Sequence, residues 1–127
     1  MVVLAEPVLE HQTALYSFTL VDEDGLGVDV STLASMKLTY YDVATKVILN
    51  TRQAQNALNA NNVTVTTIPL PTVTTVLWVL QPADTVLQDS RREREQHIAL
   101  FEWTWQGGAK SAAHEVQFAV EQITYVV

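Results

Sequence analysis

The chain has no cysteine, only four glycines and four prolines, and seven basic residues against fourteen acidic ones. Each shortage excludes something. Without cysteine there is no disulfide, no thiolate metal site and no cysteine nucleophile. The compartment stays open, since a protein of a reducing cytosol needs no bridges. A net charge of −7 gives no basic field for a phosphate backbone, which argues against nucleic acid as the main partner. The acidity is spread along the chain and serves solubility. The longest apolar stretch, Val76–Leu80, is far too short to cross a bilayer. Met1–Pro7 has neither a basic n-region nor a full apolar h-region, so no secretory signal and no membrane partner are expected. What remains is a chain of 127 residues with 48% hydrophobic side chains. By length it is one domain, able to bury about two thirds of its unfolded surface without staples.

The strongest pattern runs from His97 to Ile123. Phe101, Trp103 and Trp105 fall on one face of a strand, with Glu102, Thr104 and Gln106 on the other. Val116, Phe118 and Val120 alternate in the same way against Glu115, Gln117 and Glu121, and Gly107-Gly108 between the two runs predicts a β-hairpin. Its aromatic face predicts the centre of the core. Upstream, alternation predicts strands at Ala14–Leu20 and Met36–Asp42, with shorter ones at Gly27–Val30 and Lys46–Asn50. Residues 54–58 predict a frayed helical turn, and Ser31 or Ser35 is expected to cap another. Val63–Thr67 is a β-branched strand, and Pro69 and Pro71 after it confine this stretch to an edge or a loop. Thr74–Gln81 predicts a central strand, covered on both sides or meeting a partner on its outer face, and Pro82–Thr85 a helical turn. Residues 1–12 and 124–127 are expected as arms. The sum is an all-β, immunoglobulin-like antiparallel sandwich of about seven strands without a disulfide. A jelly roll is the alternative and needs an eighth strand.

The chemistry-bearing residues give no catalytic set. Asp22, Asp24 and Asp29 suggest a calcium loop, but in an EF-hand frame Leu26 and Leu33 occupy ligand positions, so the frame fails. His11, His97 and His114 lack zinc spacing, and His97 and His114, which flank apolar strands, are expected as hydrogen-bonded boundary residues. Neither a nucleophile elbow nor a Walker or dinucleotide loop is present. The pairs Glu93/Glu95 and Glu115/Glu121 are expected on solvated faces, where nothing raises a carboxyl pKa. Trp78, Trp103, Trp105, Tyr40 and Tyr41 offer either a core or a sugar-stacking platform. Core is favoured for all but Tyr41, which should be exposed or in an interface. Arg91-Arg92-Glu93-Arg94-Glu95 is mixed in sign and fits a salt-bridging loop.

Several short motifs carry a resemblance when taken in order. They are Asp-x-Asp-Gly after an aromatic strand, Leu-x-Tyr-Tyr-Asp at 38–42, Asn-Asn-Val-Thr-Val at 61–65 and a Trp strand ending Leu-Gln-Pro-Ala-Asp-Thr at 80–85. Glu-x-His-x-Ala-x-Phe-x-Trp at 95–103 and His-Glu-Val-Gln-Phe-x-Val at 114–120 complete the set. Across residues 14–123 the chain resembles the small immunoglobulin-like structural proteins of tailed bacteriophages, found on heads, necks and baseplates. That resemblance implies a non-enzymatic virion component without a cofactor, held by contacts with other virion proteins in a symmetric assembly. The alternative is a carbohydrate-binding β-sandwich module, with glycan contact. Edge strand 63–68 and the two arms are expected to add strands to a neighbour's sheet. The expected contact residues are Tyr41, Arg91, Arg92 and Arg94, with the outer-face apolar residues Leu77, Val79, Ile98 and Leu100. Replacing Leu100 by Asp or Tyr41 by Ala should then weaken incorporation more than folding.

Overall fold

The computed structural model describes residues 1–89 and 91–123. Among them lie nine strand segments: β1 (Val2–Val3), β2 (Val8–Leu9), β3 (Ala14–Leu20), β4 (Leu33–Asp42), β5 (Gln55–Asn56), β6 (Val63–Ile68), β7 (Val73–Leu80), β8 (Arg94–Trp105) and β9 (Lys110–Glu121). Two sheets form. One has the order β1-β9-β8-β4-β5, with β2 also on β9; the other is β3-β7-β6. This is the immunoglobulin-like partition, with β3, β7 and β6 as strands B, E and D facing β9, β8, β4 and β5 as G, F, C and C′. An all-β sandwich therefore stands. Three of its nine segments are only two residues long.

The hairpin sets the register of the larger sheet. Trp105 pairs with Lys110, Phe101 with His114 and His97 with Phe118. Gln106, Gly107 and Gly108 all have positive φ (52°, 63° and 89°), a conformation that glycine adopts without steric cost. Period-two alternation sends Phe101, Trp103 and Trp105 inward, against Trp78 and Leu80 from β7 and Met36, Leu38 and Tyr40 from β4. Where antibody domains join strands B and F by a disulfide, this chain places the Phe18 and Phe101 rings 5.0 Å apart. β6 is an edge strand, as its prolines allow, and β7 is the central strand of its sheet. The outer face of β7 is only half-buried, so nothing among the described residues covers it fully.

Four expectations need correction. Residues 54–58 form no helical turn. Ala54, Asn59, Asn61 and Asn62 sit in the left-handed region, which asparagine tolerates best among non-glycine residues, and Gln55–Asn56 pairs with β4 instead. Lys46–Asn50 is no strand either; Lys46 and Asn50 have positive φ, and among the described residues this stretch pairs through a single bridge from Tyr41 to Ile48. Residues 27–30 contribute one bridge, Val21 to Gly27, rather than an edge strand. The first short 3₁₀ turn, Val30–Thr32, is capped by Asp29 accepting from the Ser31 N–H, not by Ser31 or Ser35. The second, Pro82–Asp84, falls where proline predicts it.

Residues 1–12 are used inside the domain. Val2 pairs in parallel with Val116 and Val8 with Val120. Leu4 and Glu10 donate their N–H groups to Gln117 and Glu121 carbonyls, each at 2.9 Å. This segment therefore covers the edge of β9 rather than reaching for a neighbour. The expected extension or arm at Thr124–Val127 lies outside the described residues.

Candidate functional site

Two features of the described residues go beyond packing: a buried polar chain through the sandwich and an uncharged outer face. The buried chain begins at Arg52, only 2% exposed. Its guanidinium grips the Asp84 carboxylate at two points, 2.6 Å from Nε and 2.9 Å from NH2. The remaining N–H groups go to Gln55 Oε1, the Asn61 carbonyl and Asn62 Oδ1, so all five donors of the fork are used. The same guanidinium lies 5.8 Å from the centre of the Trp78 ring. Asp84 also accepts from Asn50 Nδ2 and the Gln81 N–H. One arginine thus fixes the loop from 50 to 62 against the second 3₁₀ turn.

From Asp84 the chain continues through Tyr40, whose hydroxyl donates to the Asp84 carbonyl at 2.7 Å and lies 2.8 Å from His97 Nδ1. His97 Nε2 lies 3.0 Å from Glu95 Oε1. Glu95 also accepts from the Gln88 and Asp89 N–H groups, at 2.6 and 2.9 Å. Arg92 NH1 stands 3.5 Å from Glu95 and 3.6 Å from Asp42. Asp42 Oδ2 accepts from the Thr45 N–H and hydroxyl, while the buried Asp42 Oδ1 has no hydrogen-bond partner among the described residues. Burial, the largest influence, lowers the His97 pKa, and the Glu95 and Asp42 carboxylates offset it only in part. The Tyr40 hydroxyl is pushed well above its ordinary pKa, first by burial and then by the Asp84 charge, so it remains a phenol.

Ligand-type atoms of Asp42, Glu95 and His97 lie within 4.8 Å of one another. Their lone pairs and N–H groups are largely engaged with protein partners, and Arg92 supplies a cation beside both carboxylates. The set is a buried electrostatic cluster of the fold. Glu95, at 3% exposure, corrects the expected solvated position. Continuing the alternation of β8 back from Trp105 through Phe101 reaches His97 and then Glu95 on the inward face, a signal that the charged run obscured. Nothing in the sequence marked Arg52 or Asp84 as partners, 32 residues apart.

Elsewhere the polar candidates serve local structure. Asp22 accepts from the Asp24 and Leu26 N–H groups and closes its turn. His114 lies 2.5 Å from the Tyr16 hydroxyl and stacks on Phe18, with ring centres 4.0 Å apart. Trp78, Trp103, Trp105 and Tyr40 are all buried, so they present no stacking platform to solvent. Tyr41 is half-buried, with Lys46 Nζ 5.7 Å from its ring centre.

The expected contact residues divide between two opposite faces. Tyr41, Ile98 and Leu100 share the outer face of the larger sheet, Tyr41 pairing with Ile98. Ile98 is only 7% exposed and Leu100 is half-buried. Arg91 projects beside Asp89, Arg92 reaches Asp42 and Glu95, and Arg94 pairs with Glu121 at 3.1 Å. Leu77 and Val79 lie on the other sheet, half-buried on β7.

Around Leu77 and Val79 stretches the second feature. The outward positions of the three-stranded sheet are Leu15, Ser17 and Thr19 on β3, Val73 and Thr75 beside Leu77 and Val79 on β7, and Thr64, Thr66 and Ile68 on β6. None is charged. Leu15 is 69% and Ile68 67% exposed. The outer face of the larger sheet, by contrast, carries Lys37, Arg94, Glu102, Glu115 and Glu121. No described helix is long and apolar enough to cross a membrane. Compared with protein-family models and with curated proteins, the chain matches none.

Proposed function

We propose that this protein is a non-enzymatic structural component of a tailed-phage virion, acting by contact between its outer sheet face and other virion proteins. The observation that carries the contact is the uncharged face of β3, β7 and β6. A chain with net charge −7 leaves charge off one whole sheet face, and the cores of protein interfaces are depleted of charge in the same way. Contiguous exposed apolar surface of this kind marks association sites. Hydroxyl side chains between the aliphatic ones keep the face soluble when free and supply hydrogen bonds when covered. The virion setting comes from the resemblance of residues 14–123 to phage immunoglobulin-like proteins. The buried state of His97, Tyr40, Asp42 and Glu95 is in keeping with a structural role for that cluster.

The test is the double variant Leu15→Lys with Leu77→Lys, in trans complementation of particles that lack the protein. Both side chains point out of the sheet, so the variant should melt within a few degrees of wild type, the usual range for surface changes. Its incorporation into particles should fall at least about tenfold, which corresponds to roughly 1.4 kcal/mol of binding. Incorporation equal to wild type would overturn the assignment of this face.

A further inference from the structure

We propose that His97 is held as an imidazolium inside the folded domain, so that folding takes up a proton and the fold loosens as pH rises. Counting hydrogens leads there. The Tyr40 hydroxyl has one hydrogen and two close neighbours, the Asp84 carbonyl at 2.7 Å and His97 Nδ1 at 2.8 Å. A carbonyl oxygen has no hydrogen to give, so the phenol donates to Asp84 and the hydrogen of the second bond comes from Nδ1. On the other side of the ring, Nε2 lies 3.0 Å from Glu95 Oε1. The other neighbours of Glu95 among the described residues are all donors: the Gln88 and Asp89 N–H groups and the Arg92 guanidinium. They hold the carboxylate as an acceptor, so the hydrogen between it and the ring belongs to Nε2. Both ring nitrogens therefore donate, and an imidazole with two N–H groups is a cation.

The charges around the ring agree. Glu95 faces it from its own strand, Arg92 from the preceding loop, Tyr40 and Asp42 from β4, and Asp84 from the second 3₁₀ turn, with Arg52 behind. Arg52 and Asp84 cancel. Asp42 and Glu95 contribute two buried negative charges against the single charge of Arg92, whose side chain is 35% exposed. With a neutral His97 the cluster buries one uncompensated carboxylate; with the imidazolium it is balanced. Burial disfavours an isolated imidazolium, but here the alternative is an isolated buried anion, which is no less costly.

A free histidine titrates at about 6.5. Burial acts to lower the His97 value, and against it the two N–H bonds and the charge balance of the cluster have to lift the folded value above that of the free side chain. The stabilisation is then complete below the unfolded value and is lost as pH rises through the folded one. Between the two values the folding constant falls by roughly tenfold per pH unit, the slope of one proton. Loss of the proton leaves one ring nitrogen bare against an oxygen lone pair. That breaks a link between β8 and either β4 or its own Glu95.

The experiment is nitrogen NMR of the full chain, isotopically labelled at histidine and held at about pH 7.5, a unit above the free-histidine value. His97 is assigned by the signals lost in His97→Gln. The expected result is a His97 ring with two protonated nitrogens; a bare, pyridine-type nitrogen on that ring would overturn the proposal. A second arm compares denaturant stability above the free-histidine pKa for wild type and His97→Gln. Wild type should lose up to about tenfold more in folding constant per pH unit, and identical slopes would contradict the proposal. If His97→Gln does not fold, backbone correlations in the wild-type chain assign the ring and the NMR arm stands alone.

Discussion

Arg52 is the residue on which most of the irregular structure depends. Its five N–H groups hold the 50–62 loop, the second 3₁₀ turn and the Trp78 face together. Breaking a buried pair by removing one partner strands the other charge and costs about 3–5 kcal/mol. Arg52→Ala should therefore lower stability by about that amount in urea unfolding, whereas Arg52→Met combined with Asp84→Asn should cost clearly less. A loss under about 1 kcal/mol for Arg52→Ala would show that the pair is not the staple described here. This interaction was illegible in the sequence because its partners lie far apart in a low-pattern polar stretch. Glu95 and His97 were legible in principle, since period-two alternation from Trp105 carries them inward. The neighbouring arginines made that end of the strand read as solvated.

At the scale of elements, the long alternating runs were readable and the short ones were not. Strands β3, β4, β6, β7, β8 and β9 follow from their own residues, because burial of one face fixes the phase of every side chain. The two-residue segments β1, β2 and β5 have too few positions to show a period. They pair because a neighbouring strand offers an edge. Residues 46–62 turn on left-handed asparagines, and composition alone could not separate these from a fraying helix. Gly27 shows a local constraint of another kind: a Cβ there would stand 2.1 Å from the Thr72 carbonyl oxygen. Gly27→Ala must push the 69–72 turn away and should cost about 1–3 kcal/mol, as overpacking does; an unchanged melting curve would contradict that contact. Residues 1–9 cover the outer edge of β9. Their deletion should raise self-association in sedimentation relative to the whole chain, because an uncovered strand edge is a template for pairing. Equal association of the two chains would argue that the edge is protected in another way.

The whole molecule is an acidic sandwich with one charged and one uncharged outer face. The fold class was legible because strand rhythm and turn residues point the same way. The choice of face was only partly legible. Leu77 and Val79 stood out on the central strand, but Leu15, Thr64, Thr66 and Ile68 join them only once the register of β3, β7 and β6 is known. Ile98 looked equivalent in the sequence, yet it is 7% exposed and already covered by its own chain. A strand pattern shows which side chains point outward without showing which of them remain uncovered. We propose that other virion proteins cover that face, and the most direct measurement is quantitative mass spectrometry of purified particles from the source, counting this protein against the portal and the major capsid protein. A virion component, as proposed, should show a fixed stoichiometry, at parity with the portal for a neck or tail position or with the capsid protein for a head decoration. Absence from the particles would contradict it.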